Sequence, residues 1–321
     1  MPVLDVDKLT INYSTMRGPV RAAENVSFQV ERGEALGLAG ESGCGKTTVA
    51  LSLLRLLPSN GKIVSGEIRF QDKDLVKISD KELREKIRWK GISIVFQGAM
   101  NAMNPVFKVG DQIAEAIYTH EPDVKKDEIK NRISKLFELV GMDPTRADNY
   151  PHEFSGGMRQ RALIAMALAC NPALLISDEP CTALDVIVAA QVLKLLREIK
   201  EKLNLGMILI SHDLSIIAET CEKVGIMYAG YLAEYANVGD IFKEPLHPYT
   251  QGLIGAFPSI RGERVRMVSI PGTPPDLLRP PPGCRFHPRC KFAMEICRKK
   301  APSWSLIGNR RYVACWLYEK K

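Results

Sequence analysis

The sequence predicts an α/β fold with a parallel sheet that is buried on both faces. Four short runs are apolar throughout, as the strands of such sheets are: Leu36–Ala39, Ile92–Phe96, Leu174–Ser177 and Met207–Ile210. Each run is followed within two residues by polar or glycine-rich sequence. Because ligands bind at the carboxyl ends of strands in open α/β sheets, the four strand ends together predict one binding site.

The first run leads into a phosphate-binding loop. Residues 40–47 fit the pattern G-x-x-x-x-G-K-[ST], and a helix is predicted from Lys46 to Leu57, before Pro58. Glycines let backbone N–H groups approach a polyphosphate, and the helix start adds the positive end of its dipole. Lys46 is expected to reach the β- and γ-phosphates, and the Thr47 hydroxyl to bind Mg²⁺. The predicted ATP contacts in this loop are Gly40, Glu41, Ser42, Gly43, Cys44, Gly45, Lys46, Thr47 and Thr48.

Two strands are predicted before this loop and one after it. Leu4–Tyr13 and Val26–Val30 alternate apolar and polar residues, as half-buried strands do, and Gly66–Phe70 gives a further short strand. Tyr13 ends the first of them, where its ring could stack on adenine. Ordinary packing is the alternative for this residue, and we include it among the predicted ATP contacts.

The polar residues after the other three runs suit phosphoryl transfer, in which positioning and charge stabilisation do most of the catalysis. Asp178 follows a buried strand and is predicted to bind Mg²⁺ together with Thr47 and Gln97. Glu179 is predicted to be the general base that polarises the attacking water. His212 is expected to position the water and Glu179, although a structural histidine is the alternative. Gln97 is also expected to sense the γ-phosphate.

A helical insertion is predicted at about residues 98–172. Asp123–Val140 has apolar residues at helical spacing and a glycine at the expected stop. A second helix is predicted to begin after Ser155 and to end near Asn171–Pro172. Ser155 is a good N-cap, and the two glycines after it allow close approach to the exposed N–H groups. The segment therefore predicts a second phosphate-binding helix start.

The composition is that of a soluble globular protein, with 321 residues, of which 45% are hydrophobic and 25% charged. No segment approaches the roughly 18 apolar residues of a membrane span, and the amino terminus has neither the basic region nor the apolar core of a signal peptide. The chain is therefore expected to stay in the cytosol and to reach a membrane only through a partner.

The positive charge is concentrated in the last part of the chain. Residues 261–321 contain 14 Lys and Arg against 4 Asp and Glu, a net charge of +10, whereas residues 1–260 carry −3. Basic tails often bind nucleic acid or a membrane surface. The other interpretation is that this charge balances an anionic group bound by the tail itself.

Four of the eight cysteines lie in the same tail, at Cys284, Cys290, Cys297 and Cys315. In a reducing cytosol such a concentration favours a metal over disulfides. The cysteines are separated by five, six and seventeen residues, without the tight pairs that are usual in structural zinc sites. Four thiolates can also bind a [4Fe–4S] cluster, so both metals stay open on spacing alone.

The motifs resemble those of ATP-binding-cassette (ABC) ATPases in order and spacing over roughly residues 1–260. They are the phosphate loop, Gln97, FSGGM, LLISDEP, ALD and His212. The resemblance implies a P-loop NTPase cassette, with a RecA-like core, an antiparallel β subdomain and an α-helical subdomain. Two cassettes of that family pair head to tail. The signature residues expected to contact the partner's ATP are Ser155, Gly156, Gly157 and Met158. Met158 and Cys181 replace the commoner Gln and Thr, and neither change removes a catalytic group.

The remainder of the chain resembles the C-terminal extension of oligopeptide and dipeptide importer ATPases, and related nickel importers share much of it. The resemblance rests on EPLHPYTQGL, the proline-rich stretch Pro271–Pro282 and CRFHPRC. It implies a nucleotide-binding domain at residues 1–243 and a small, irregular, cysteine-rich extension at 244–321. It also favours a [4Fe–4S] cluster over zinc, and over unligated thiols, at the four tail cysteines. The basic residues between those cysteines would balance the cluster's negative charge, which weakens the nucleic-acid interpretation.

The resemblance implies an ATP-hydrolysing, energy-coupling subunit of a peptide importer at the cytoplasmic face of the cell membrane. The implied partners are a second ABC ATPase subunit, two integral-membrane permeases and, indirectly, an extracytoplasmic peptide-binding protein. A heterodimer of cassettes is favoured over a homodimer. The alternative from another class is a soluble ABC ATPase that acts on nucleic acid or ribosomes. Such proteins generally have tandem cassettes or a long coiled coil, and the sequence has neither.

Overall fold

The computed structural model describes residues 2–98, 102–256, 270–308 and 310–319. It divides into two compact units. The first unit contains the described residues up to Leu4, together with Val30–Ala35 and Lys77–Ile210. The second unit contains Asp5–Gln29, Leu36–Val76 and the described residues from Ser211 onward. The boundary between residues 243 and 244 stays a prediction.

Strands and helices alternate through much of the described chain. The strands are β1 (Leu4–Thr15), β2 (Gly18–Val30), β3 (Ala35–Ala39), β4 (Gly61–Phe70), β5 (Lys73–Asp74), β6 (Ile92–Val95), β7 (Leu174–Asp178), β8 (Gly206–Ser211), β9 (Lys223–Tyr228), β10 (Tyr231–Asn237), β11 (Ser305–Ile307) and β12 (Arg311–Val313). The helices are α1 (Lys46–Leu53), α2 (Asp80–Glu82), α3 (Val109–His120), α4 (Lys126–Leu139), α5 (Gly156–Ala167), α6 (Val186–Leu203), α7 (Leu214–Thr220), α8 (Val238–Lys243), α9 (Pro248–Gly255) and α10 (Glu295–Lys299). Short π- and 3₁₀-helical turns lie between some of them.

Parallel strands organise the first unit. β6 pairs with β7, and β7 pairs with β8, in registers that place Val95 opposite Ser177 and Asp178 opposite Ile210. β7 and β8 are buried along their whole length. This burial explains their continuous apolar sequence and confirms the strands predicted from it. The registers also bring the carboxyl ends of β6, β7 and β8 to the same edge.

The predicted helical insertion contains helices α3, α4 and α5. On α4, Ile129, Ile133 and Phe137 are buried at helical spacing, as predicted. The helix ends before Gly141, whose φ of 68° is the left-handed conformation that glycine adopts easily. α5 ends at Ala167, earlier than predicted, where the Trp89 indole N–H donates to the Met166 carbonyl at 2.8 Å. The same carbonyl also accepts from the Ala169 N–H at 3.1 Å, so both a side chain and the backbone bond it at the end of the helix.

The second unit contains two groups of strands. The first is a four-stranded sheet in the order β2-β1-β4-β5, with β4 and β5 antiparallel. In the second group, β11, β12, β10 and β9 pair antiparallel in that order, and β9 pairs in parallel with β3. The two tail strands, β11 and β12, thus continue a sheet that begins at the strand before the phosphate loop.

Helix α1 is shorter than predicted, because the chain leaves the helix before Pro58. Arg55 adopts a left-handed φ of 50°, and the Leu56 N–H donates to the Leu51 carbonyl, which closes the last turn.

Aromatic packing anchors the tail within the second unit. Phe286 lies 5.1 Å from Tyr228 and 5.4 Å from Tyr249 between ring centroids. Across the described ranges, none of the helices is both long and apolar enough to cross a membrane.

Candidate nucleotide site

The phosphate loop of the second unit requires glycine at its two ends. Gly40 has a φ of 147°, and a Cβ there would lie 2.1 Å from the Met227 carbonyl oxygen. Gly45 has a φ of 107°, and its Cβ would lie 2.3 Å from the Ala22 carbonyl oxygen. Both contacts are shorter than any real Cβ makes, so the close approach of neighbouring strands fixes these two glycines.

Lys46 begins helix α1 and is directed back into the loop. Its ammonium group donates to the carbonyl oxygens of Gly40 at 2.7 Å and Glu41 at 3.2 Å. Lys46 is only 8% exposed, and burial raises the pKa of the neighbouring Cys44 thiol. By contrast, Thr47 is exposed at the start of the helix. The loop thus presents a fixed cation and an exposed hydroxyl, the groups that phosphates and their Mg²⁺ require.

Tyr13 lies beside the helix that follows the phosphate loop. Its hydroxyl group is 3.2 Å from the Thr48 hydroxyl. A Cβ added to Gly61 would lie 2.7 Å from the Tyr13 ring, so the ring packs closely on β4. The structure therefore brings Tyr13 to the loop, and its contact with adenine stays a prediction.

Glu41 is fixed by two residues that the sequence did not connect with the loop. The Arg289 guanidinium forms two hydrogen bonds to its carboxylate, at 2.6 and 2.9 Å. The Glu41 N–H donates to the Tyr249 hydroxyl at 3.0 Å. No local pattern could reveal these contacts, since the partners lie more than 200 positions away along the chain.

The acidic pair of the first unit lies at the end of β7. Asp178 is the last residue of that strand and is 1% exposed. Glu179 follows with a left-handed φ of 50°, and its N–H donates to the Ile210 carbonyl of β8 at 3.0 Å. A non-glycine residue rarely adopts this conformation, and such positions are concentrated at functional sites. The backbone therefore turns Glu179 away from the direction of the strand.

Gln97 and His212 follow β6 and β8 respectively. Gln97 is exposed and lies two residues after β6, so the register brings it to the same edge of the first unit as Asp178. His212 is exposed and belongs to the second unit, directly before Asp213, which caps α7 by accepting from the Ser215 N–H at 2.8 Å. The catalytic and Mg²⁺-binding roles of these residues stay predictions.

The predicted signature segment begins helix α5. The Ser155 hydroxyl accepts from the Met158 N–H at 3.3 Å, which confirms Ser155 as the N-cap. Gly157 has a packing role that the sequence did not reveal, because its Cβ would lie 2.5 Å from Val188 of helix α6. Ser155 is exposed, whereas Gly156, Gly157 and Met158 are half-buried. Contact between this helix start and the ATP of a partner stays a prediction.

The predicted iron–sulfur cluster is wrong, and the structure gives no support to zinc. Over residues 2–98, 102–256, 270–308 and 310–319, no group of three or more His, Cys, Asp or Glu side chains could bind a metal ion. The four predicted ligands, Cys284, Cys290, Cys297 and Cys315, line a small cavity together with aromatic and aliphatic side chains. Its volume of about 10 Å³ has room for one water molecule, not for a four-iron cluster.

Burial shifts the thiol pKa of three of the tail cysteines. Burial raises the pKa of the Cys284 and Cys290 thiols, and it raises that of Cys315 to about 12. The Cys284 sulfur lies 3.8 Å from the Tyr231 hydroxyl. The cluster was predicted from the number and spacing of the cysteines and from a family resemblance, neither of which contains information about the surroundings of the thiols.

Two arginines of the tail pair with carboxylates from the earlier part of the chain. Arg289 binds Glu41, and Arg285 binds Glu24 and the Ala229 carbonyl. Both arginines are buried. These ion pairs give part of the positive tail charge a structural role within the second unit.

A second buried network joins the tail to strand β10. The fully buried Glu234 carboxylate accepts from the N–H groups of Leu246 and His247, both at 2.9 Å, and from Arg311 at 3.0 Å. His247 Nδ1 in turn accepts from the Tyr249 N–H at 3.0 Å. Burial lowers the pKa of His247 to about 3, so this imidazole is neutral at physiological pH.

Known proteins resemble the chain in both fold and sequence. A cbiO1 protein of Clostridium perfringens, part of the ABC transporter complex cbiONQ, superposes with a TM-score of 0.65 over 76% of this chain and 91% of its own, at 29% identity. The ATP-binding cassette MJ0796 superposes with a TM-score of 0.64 over 73% of this chain and 98% of its own, at 24% identity, which concerns the fold alone. Two relatives match nearly the whole sequence. The dipeptide transport ATP-binding protein DppD of Bacillus subtilis (strain 168) is 46% identical over 99% of this chain and 96% of its own. The oligopeptide transport ATP-binding protein OppD of Escherichia coli (strain K12) is 45% identical over 98% of this chain and 93% of its own.

The fold and the phosphate loop define the chain as an ABC cassette of the P-loop NTPase class, which confirms the predicted fold and the predicted class of enzyme, an ABC ATPase. The ABC transporter family model matches residues 23–182, and the model described as oligopeptide/dipeptide transporter, C-terminal region, matches residues 233–297. The chain belongs to the ABC transporter family, within its group of dipeptide and oligopeptide transport ATP-binding proteins.

Proposed function

We propose that the chain is the ATP-hydrolysing, energy-coupling subunit of an ABC importer for dipeptides or oligopeptides. ATP binding would close a pair of cassettes, and hydrolysis and release would reopen it. Separate membrane subunits would follow this cycle and move the solute.

The observation that carries this proposal is that similarity to peptide-transport ATP-binding proteins extends over almost the whole chain. It includes the C-terminal region at residues 233–297, beyond the cassette motifs that ABC proteins of many functions share. Family membership disfavours the alternative of a soluble ATPase that acts on nucleic acid or ribosomes. The buried ion pairs at Arg285 and Arg289 also reduce the tail charge available to a polyanion.

The proposed catalytic roles follow from the chemistry of each side chain. Glu179 would act as the general base on the attacking water, with His212 positioning that water. Lys46 and the loop N–H groups would bind the phosphates, while Gln97 would report on the γ-phosphate. Tyr13 would stack on adenine from the end of β1.

The predicted Mg²⁺ ligands have the right donor chemistry. Asp178 supplies a buried carboxylate, Thr47 an exposed hydroxyl and Gln97 an exposed amide oxygen. Hard oxygen donors of these kinds bind Mg²⁺ in nucleotide sites, usually with phosphate oxygens and water. When bound, the ion would neutralise charge on the β- and γ-phosphates.

We propose that two cassettes complete each ATP site between them. The segment at Ser155, Gly156, Gly157 and Met158 would contact the γ-phosphate bound by the partner cassette. A related chain is the favoured partner, giving a heterodimer. Dependence on the partner would make hydrolysis conditional on assembly, as an arginine finger supplied in trans does.

The remaining proposed partners are two integral-membrane permeases, with an extracytoplasmic peptide-binding protein acting through them. The chain would lie peripherally at the cytoplasmic face of the cell membrane. No nucleic acid is proposed as a partner.

Purification of the assembly through a tag on this chain, followed by reconstitution into lipid vesicles, tests the proposal. We expect integral-membrane chains to co-purify, and ATP hydrolysis to rise when binding protein and peptide are added together. The tagged Glu179→Gln variant is the control, since it should assemble without turning over. Salt-sensitive capture of RNA or DNA, with no membrane chains, would contradict the proposal and favour the soluble alternative.

A further inference from the structure

Glu41, the second residue of the phosphate loop, is fixed through all of its polar groups. Its N–H donates to the Tyr249 hydroxyl at 3.0 Å, and its carbonyl oxygen accepts from the Lys46 ammonium at 3.2 Å. Its carboxylate accepts both hydrogen bonds from Arg289. The conformation of Glu41 therefore determines part of the surroundings of the loop lysine.

Arg289 is itself held in a single orientation. Its Nε donates to the Pro271 carbonyl at 2.8 Å, and its Nη1 lies 3.4 Å from the Tyr228 hydroxyl. The side chain is 5% exposed, against 26% for its partner Glu41. A planar guanidinium with bonds on both sides cannot rotate, so it presents a rigid fork to the carboxylate.

The charge of Glu41 gives this pair a function beyond packing. A carboxylate in a loop that binds polyphosphate would repel the ligand if it were not neutralised, most strongly where little water intervenes. The bidentate Arg289 contact neutralises the carboxylate and orients it toward the tail. Removing the arginine would leave a partly buried negative charge beside the bound phosphates.

We propose that Arg289 is a positioning residue for ATP binding, which acts through Glu41 by neutralising its carboxylate and fixing the phosphate loop. The Tyr249 hydroxyl also supports Glu41, because it accepts a hydrogen bond from the Glu41 backbone N–H. The inference rests on the proposed function, since it takes ATP as the ligand of the loop. The C-terminal extension thereby becomes part of the nucleotide site.

The charge argument makes a specific prediction about double substitution. Arg289→Gln removes the neutralising charge, and we expect the dissociation constant for MgATP to rise about tenfold, the order of one lost charged hydrogen-bonding partner. Glu41→Gln removes the charge that needs neutralising, so adding Arg289→Gln to that variant should change the dissociation constant by less than about threefold. The double variant should therefore bind MgATP about as tightly as Glu41→Gln, and more tightly than Arg289→Gln.

The experiment measures MgATP binding to the full chain by calorimetry, for the parent, both single variants and the double variant. Arg279→Gln is the matched control, because Arg279 is an exposed arginine of the same tail and its loss should not change binding. Thermal unfolding of each variant confirms that it is folded. Lack of MgATP binding by the parent would contradict the proposed function itself.

The double variant separates charge neutralisation from a merely structural role. Recovery of binding in the double variant, with weak binding in Arg289→Gln, supports the inference. Parent-like binding by Arg289→Gln would overturn it, as would a double variant that binds as weakly as the single one. Should Arg289→Gln fail to fold, Arg289→Lys decides, because lysine keeps the positive charge beside Glu41 and a tenfold loss of affinity there would contradict neutralisation as the role.

Discussion

Gly157 and Val188 meet so closely that a Cβ on the glycine would lie 2.5 Å from Val188 Cγ1. This contact joins the start of helix α5 to the first turn of helix α6, both in the first unit. The second glycine of the signature segment is therefore required by packing between helices, in addition to any requirement for close approach by phosphate.

Gly157→Ala should lower the free energy of unfolding by about 1–3 kcal/mol, because the added methyl group has no space. Val188→Ala removes the clashing atoms, so the double variant should recover much of that loss. Chemical denaturation of the two single variants and the double variant measures the coupling. Equal losses for Gly157→Ala in both backgrounds would show that the glycine is required for another reason.

Local patterns in the sequence were sufficient to predict the phosphate loop. They also predicted β7 and β8, the buried strands before and after the acidic pair along the chain. Gly40 and Lys46 belong to one continuous motif, and β7 is apolar because both of its faces are buried. Such features depend on neighbours within a few residues, so they can be read without the fold.

Contacts between distant parts of the chain could not be predicted in this way. The Arg289–Glu41 pair spans 248 positions, and no spacing rule connects its members. The cysteine count failed for the same reason, since the sequence could not reveal an apolar cavity too small for a cluster around Cys297 and Cys315. These features depend on tertiary packing, and sequence motifs carry no information about that packing.

Glu179→Gln should reduce ATP hydrolysis by about 10²–10⁴-fold, the usual effect of losing a general base, while MgATP still binds. The amide retains the size of the side chain but cannot accept a proton from the attacking water. Steady-state phosphate release and equilibrium ATP binding are measured on the reconstituted assembly.

A matched control for this variant is Glu201→Gln, which removes the same charge from an exposed position of helix α6. Glu201→Gln should hydrolyse ATP at the parent rate and bind MgATP as the parent does. Parent-like turnover in Glu179→Gln would exclude that residue as the base.

Lys46→Ala should weaken MgATP binding by at least about tenfold, since it removes the buried cation of the phosphate loop. It also leaves the carbonyl oxygens of Gly40 and Glu41 without the ammonium group that now donates to them. Competition against a fluorescent nucleotide measures the affinity. Lys62→Ala, at an exposed position of strand β4, is the control. Unchanged affinity in Lys46→Ala would remove this loop from the nucleotide site.

Arg311→Met should destabilise the protein by about 3–5 kcal/mol, because it leaves the fully buried Glu234 carboxylate without its cationic partner. The free energy of unfolding is measured by denaturant titration at neutral pH. Lys299→Met removes a cation that is 77% exposed and should cost less than about 1 kcal/mol. Similar losses for the two variants would show that the Glu234 network does not stabilise the tail.

Protonation of His247 should make stability depend on pH. Its pKa is lowered to about 3 by burial, whereas an unfolded histidine titrates near 6.5. Between these values the unfolded chain binds the extra proton, so the free energy of unfolding falls as the pH is lowered below about 6.5. From pH 6.5 to pH 5 this residue alone should cost about 2 kcal/mol.

His247→Asn should remove that pH-dependent loss while retaining a side-chain acceptor for the Tyr249 N–H, which His247 Nδ1 now accepts. Denaturant titrations of parent and variant across pH 5–7.5 give the difference between their free energies of unfolding at each pH. The contributions of the remaining titratable groups cancel in this difference. His152→Asn, the same substitution at an exposed position, is the matched control. A His247→Asn curve parallel to that of the parent would mean that His247 is protonated in the folded protein, and that burial does not keep it neutral.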